Sequence, residues 1–197
     1  MPKQHKLYID GQWIAGDTYV DNVSPSDSSD VIGEYAQANP SQVEAALQAA
    51  NRAVLDWGDS PLESRYQTLM AIGNELIDRS AELGELLARE EGKTRAEGIG
   101  EVYRSGQFFH YFAGEVHRQI DDRAESVRPG IEIDTRREPV GVVAIISPWN
   151  FPMATAVWKI APALAFGNAV IFKPANLVPA SAWALTEIIS RQDPLPP

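Results

Sequence analysis

Two short runs of purely apolar residues, Val142 to Ile146 and Ala169 to Phe172, constrain this chain more than any other feature. Neither alternates with polar residues, and the first is dense in β-branched side chains. A strand with one wet face alternates; a strand covered on both faces of a parallel sheet does not. Ser147-Pro148 stops the first run. Trp149-Asn150-Phe151-Pro152 then makes a rigid corner, because each proline fixes its own φ and biases the residue before it towards extended geometry. Met153 to Phe166 is apolar and alanine-rich, and Gly167-Asn168 suits a helix C-terminus. Strand, helix and strand in this order predict a right-handed βαβ crossover and an α/β fold. In such sheets ligands sit beyond the carboxyl ends of the strands. Those ends carry Asn150 after the first run, and Lys173 and Asn176 after the second.

The series Pro148-Trp149-Asn150-Phe151-Pro152, Trp158-Lys159, Pro162-Ala163-Leu164, Gly167-Asn168 and Lys173-Pro174-Ala175 resembles the aldehyde dehydrogenase superfamily. A weaker likeness runs from Leu7 to Pro139, and the segment after Asn176 resembles the α-ketoglutarate semialdehyde (2,5-dioxovalerate) dehydrogenase branch. The chain is shorter than a full-length member. The resemblance implies a doubly wound parallel-sheet cofactor-binding domain, incomplete here, with N-terminal helices and a β arm. It places N-terminal strands and helices in 1–120, an oligomerisation arm in 121–140 and the first βαβ unit in 141–197, with the catalytic domain absent.

A member of this family oxidises an aldehyde to a carboxylic acid through a thiohemiacetal, using NAD or NADP. Its chemistry needs a thiol nucleophile, a general base and an oxyanion donor. The chain has no cysteine, so it supplies no thiol, and the base segment is missing as well. Asn150 matches the oxyanion asparagine: a neutral primary amide donates N–H to a developing O⁻ without quenching it. The competing role for Asn150 is a cap on the following helix. Lys173 matches the lysine that reaches the adenosine ribose, against a plain surface lysine at a strand end. Ile146, Ser147, Pro148, Trp149 and Ala175 match positions that line the cofactor. Met153 and Trp158 match the aldehyde tunnel, Trp158 with helix packing as its alternative. Many relatives carry glutamate where this chain has Asn176, and a neutral amide there removes the repulsion of a 2′-phosphate. A Gly-x-Gly-x-x-Gly fingerprint is absent.

Upstream, Leu7 to Ile14 reads as a hairpin about Asp10-Gly11, with Trp13 as packing. Asp21 to Asp30 reads as loop, and Val31 to Ala36 as a strand. Ser41 and Glu44 have capping-box spacing for a helix with the stripe Val43, Leu47, Ala50, Val54, Trp57, ending at Gly58. Ser60-Pro61 starts a second helix that runs on past Leu87; Glu90 to Thr94 is similar to a Glu-x-Gly-Lys run that the family often has there, and reads as a helix terminus with solvated charges. A third helix spans Arg95 to Gln119. His110 and His117 lie about two turns apart, too far for a helical metal pair, so no metal is expected. Residues 121–139 read either as a solvated hairpin or, through the resemblance, as an arm pairing subunits into a dimer or tetramer. Pro179 opens a last helix with Glu187 and Arg191 as an i,i+4 pair.

A formal charge of −10 argues against nucleic acid and anionic membrane as partners. No run is long enough to span a bilayer, and Met-Pro-Lys-Gln-His-Lys lacks a signal-peptide core, so a cytoplasmic enzyme acting on a small aldehyde is expected. The rival expectation is a catalytically silent truncated chain serving only in assembly or nucleotide binding.

Overall fold

The computed structural model describes residues 3–118, 121–193 and 195–196. The chain opens with β1 (Gln4–His5), then the hairpin β2 (Leu7–Ile9) and β3 (Gln12–Ile14). Its turn places Asp10 at φ 53 and Gly11 at φ 72, both left-handed, which matches the right-handed twist of the strands. Trp13 packs between Tyr8 and Trp183 at centroid distances of 5.1 and 4.9 Å. β4 (Thr18–Val23) pairs antiparallel with β5 (Val31–Gln37), and β1 adds in parallel on the other side of β5. Asp21 to Val23 is therefore strand rather than loop, which is confined to residues 24–30. Cross-strand pairing along β5 overrides the turn-like composition there.

Helix α1 (Pro40–Gly58) begins one residue earlier than Ser41. Asn39, not Ser41, is its cap, and Gln42 completes the box by accepting from the Asn39 backbone N–H. Pro40 fills the first helical position, where no N–H is needed. Ala50 and Trp57 of the expected stripe are buried, whereas Val43 and Leu47 stay exposed. The long second helix is two: α2 (Leu62–Asp78) and α3 (Ser80–Glu91), broken at Arg79 with φ −94 and ψ 12. Gly92 at φ 91 terminates α3.

Helix α4 (Arg95–Val116) starts at a Thr94–Glu97 capping box. Gln119, the expected end, lies outside the described residues. α4 crosses both preceding helices at glycine contacts. A Cβ on Gly98 would stand 2.3 Å from the Gly84 carbonyl oxygen of α3, and one on Gly106 2.6 Å from that of Gly73 in α2. Only glycine permits this approach.

After α4 comes the hairpin of β6 (Asp122–Glu125) and β7 (Glu132–Thr135), with every strand residue exposed. Then come β8 (Val142–Ile146), α5 (Ala154–Ala165), β9 (Ala169–Lys173) and α6 (Pro179–Ser190). β8 and β9 pair in parallel from Val142↔Ala169 to Ile146↔Lys173, which is the expected βαβ unit. Burial on both faces is not realised: Ile145 is 2% exposed but Ile146 is 72% exposed. One face packs on helices while the face that carries Ile146 is left uncovered, and the pair has no further strand beside it among the described residues.

A single core joins these parts. Trp57, Leu69, Leu76, Phe109, Val157 and Leu185 are among its buried members. Buried Arg65 fastens the α1–α2 turn to α5, donating to Gly58, Ser60 and Ala165 carbonyls. Asn168 does the same before β8, accepting from the Val140 and Gly141 N–H groups at 2.8 and 3.1 Å. Glu187 and Arg191 pair at 2.8 Å. No helix among the described residues is long and apolar enough to cross a membrane.

Candidate active site at the ends of β8 and β9

The parallel register sets the two strand ends side by side. Ser147 N–H continues the ladder to the Lys173 carbonyl at 3.4 Å. Two loops leave from this line: one runs from Ser147 to Met153 into α5, the other from Pro174 to Val178 into α6. The residues expected to bind cofactor lie on these loops or at the strand ends; of the two expected to face the aldehyde, Met153 ends the first loop and Trp158 lies within α5.

Ile146, Pro148, Trp149 and Asn150 are exposed, while Ser147 is 5% exposed. The Ser147 hydroxyl oxygen is buried without a hydrogen-bond partner among the described residues. Asn150 does not cap α5: the cap position is Met153, and no side-chain cap bond is made there. The helix end is closed instead by Glu101 of α4, whose carboxylate accepts from the Met153 and Ala154 N–H groups, each at 3.0 Å. Lys93 binds Glu101 at 2.7 Å and donates to the Asn150 carbonyl at 3.2 Å.

On the second loop, the Lys173 ammonium donates to Asn176 Oδ1 at 2.9 Å. Both residues are exposed, and Ala175 is half-buried and accepts from Val178 N–H at 3.2 Å. Trp158 is half-exposed on α5 and meets Phe108 at 5.6 Å. Met153, by contrast, is fully buried and belongs to the core.

Beneath the second loop sits a buried acid. Glu90 is 2% exposed. It accepts from Ala180 N–H, from Ser181 N–H at 2.9 Å, from Ser181 Oγ at 2.6 Å and from Asn22 Nδ2 at 3.0 Å. Asn22 also donates to the Leu177 carbonyl at 3.2 Å. Burial outweighs these donors and pushes the Glu90 carboxyl up to about 7. Glu90 is thus not the solvated helix terminus its sequence context suggested: α6 brings a bare N-terminus over it, and the acid replaces a local cap.

Glu90 and Lys93 read in the sequence only as part of a solvated helix terminus, and nothing singled out Glu101. One signal existed for Glu101: it shares a four-residue spacing with Ser105 and Phe109, both 0% exposed, so it falls on the inward face of α4. Among the described residues no cluster of histidine, cysteine and acids could hold a metal ion. His110 bonds Asn74 at 2.9 Å instead.

The model of the aldehyde dehydrogenase family matches residues 13–197. The chain belongs to the aldehyde dehydrogenase family. It is 39% identical over 181 residues to an α-ketoglutarate semialdehyde dehydrogenase of Haloferax volcanii, covering 91% of this chain and 38% of that protein. The chain therefore spans little more than a third of the length of that relative. An NADP-dependent enzyme of E. coli superposes with a TM-score of 0.94 at 31% identity, over 98% of this chain and 40% of the other. The 1-pyrroline-5-carboxylate dehydrogenase from Thermus with bound NAD gives 0.91 at 31% identity, over 99% and 38%. The fold is accordingly the α/β fold of aldehyde dehydrogenases, represented by an N-terminal portion.

Proposed function

We propose that this chain is the N-terminal part of an NAD(P)-dependent aldehyde dehydrogenase that converts an aldehyde into a carboxylic acid. The observation that carries the reading is Asn150. Its side chain is exposed at the end of β8 and is not used as a helix cap, although its backbone is held from below. An amide with no hydrogen-bond partner among the described residues, on a fixed backbone, suits a donor whose acceptor is a ligand. Asn150 would donate an N–H to the aldehyde oxygen as it becomes an alkoxide, while a nucleophilic cysteine and a general base come from outside these residues.

The adjoining groups fit a dinucleotide. Lys173 and Asn176 present polar atoms at the next strand end, the buried Ser147 hydroxyl lacks a partner among the described residues, and Trp149 and Ile146 give apolar surface. When bound, the cofactor would accept the hydride. Lys173 and Asn176 would hold the adenosine ribose, and Pro148 and Ala175 would shape the loops around it. Trp158, exposed on α5, suits the aldehyde approach, whereas Met153 is buried in the core. The Haloferax relative supports a short dicarboxylic semialdehyde as substrate class. The exposed β6–β7 hairpin, with Ile131 and Ile133 half-exposed, supports pairing with a second copy, as a dimer or tetramer.

For the 197 residues alone a second reading is favoured by the absence of cysteine: a catalytically silent piece that serves in assembly or nucleotide binding. The test is NAD(P)H formation with 2,5-dioxovalerate and a panel of short aldehydes. The chain alone should give none, and the whole protein should turn over. Failure of the whole protein on every aldehyde would remove the enzymatic reading.

A further inference from the structure

We propose that the Lys93–Glu101 ion pair is the positioning device for Asn150, fixing where its amide stands when the aldehyde oxygen gains charge. The proposal rests on the reading of Asn150 given above. The segment from Asn150 to Ala154 leaves β8 and enters α5 without a side-chain cap of its own. Both of its ends are held by this one pair from α4 and the turn before it. At the first end Lys93 Nζ donates to the Asn150 carbonyl at 3.2 Å and stands 4.3 Å from the Phe151 ring centroid. At the second end Glu101 Oε1 accepts from Met153 and Ala154 N–H, each at 3.0 Å. The pair closes on itself through Lys93 Nζ and Glu101 Oε2 at 2.7 Å.

Stability alone is a poor reason for this arrangement. The two side chains keep only 11% and 3% of their exposure. Taking both charges out of water costs about as much as their attraction returns. A serine or aspartate at the start of α5 would close the helix more cheaply. What the pair adds is geometry. It grips the main chain on both sides of the turn and leaves the Asn150 side chain exposed. Glu91 Oε2 stands 3.6 Å from the same ammonium. A misplacement of about 1 Å in a group that binds the transition state can cost about a hundredfold in rate, so a held backbone has a kinetic consequence out of proportion to its stability.

The experiment uses the whole protein and the uncharged variant Lys93→Met. The expected result is a fall in kcat of between about tenfold and a hundredfold, with KM for the aldehyde changed by less than about twofold. In an Asn150→Ala background the same substitution should cost less than about threefold, because no amide is left to misplace. Lys93→Arg, which keeps a cation, should recover most of kcat. Equal losses in both backgrounds, or wild-type kcat in Lys93→Met, would overturn the proposal. Wild-type kcat in Asn150→Ala alone would instead overturn the oxyanion reading beneath it. A second measurement needs no activity. In the 197-residue chain, Lys93→Met should speed hydrogen exchange at the Met153 and Ala154 amides by at least about tenfold, leaving Ile145 in the adjoining strand unchanged. Unchanged exchange at both amides would also overturn it.

Discussion

Glu90, near the C-terminal end of α3, accepts the Ser181 N–H of α6 at 2.9 Å and so closes a helix that has no cap of its own. The same carboxylate binds Asn22 of β4 at 3.0 Å. One buried acid thereby joins the N-terminal sheet, α3 and the helix that follows the Lys173–Asn176 loop.

That acid gives the chain an unusual pH dependence. Its carboxyl rises from 4.5 to about 7 on folding, so between these values the folded state binds more protons than the unfolded state. Stability from this group is full below the unfolded value and is lost as pH rises towards about 7, by on the order of 3 kcal/mol at most. The charge that appears there also faces Tyr35, whose hydroxyl is pushed up by burial and then by Glu90. Glu90→Gln should remove this component. Melting temperatures of wild type and Glu90→Gln between about pH 5 and about pH 8 would check it; parallel curves would mean that Glu90 does not titrate in this window.

Asn150→Ala should lower kcat in the whole protein by roughly a hundredfold to a thousandfold, the usual cost of one oxyanion donor. KM should move far less, since the bond forms only in the transition state. Asn150→Asp should be at least as damaging, because a carboxylate offers no donor and repels an alkoxide. The melting temperature of either variant should hardly change, as the amide caps no helix. Steady-state kinetics with a thermal melt separate these effects.

Asn176→Glu should shift cofactor preference towards NAD. Asn176 Oδ1 already accepts from the Lys173 ammonium, and a glutamate could keep that bond while adding a negative charge beside the ribose. Two like charges about 4 Å apart repel by roughly 4 kcal/mol at an effective dielectric near 20, and less at an exposed site. A change of at least about tenfold in the ratio of kcat/KM for NADP and NAD is expected. An unchanged ratio would show that Asn176 does not face the 2′ position.

Gly98→Ala should destabilise the 197-residue chain by about 1–3 kcal/mol through overpacking. The added methyl would meet the Gly84 carbonyl oxygen at 2.3 Å, and a main-chain atom cannot swing aside. Gly100→Ala on the same helix meets nothing within 4 Å and should be neutral or slightly stabilising. Urea unfolding of the two variants tests the contrast.

Residue order alone determined what depends on neighbours in sequence. The Asp10-Gly11 turn, the β8–α5–β9 crossover, the proline start of α6 and the Glu187–Arg191 pair follow from local period, turn chemistry and the fixed φ of proline. So did the strand-end position of Asn150, Lys173 and Asn176, because a parallel crossover puts both carboxyl ends on one edge. Tertiary structure alone decided which polar residues are buried. Glu90, Lys93 and Glu101 stand in charged contexts that look solvated, and nothing nearby in sequence marks their partners. Apart from the Lys93–Glu101 contact itself, those partners are chiefly bare helix ends and a carbonyl in segments far along the chain. A buried acid persists only where such donors converge, and only folding brings them there. The same holds for Asn150: its freedom from capping was decided when Glu101 took the start of α5.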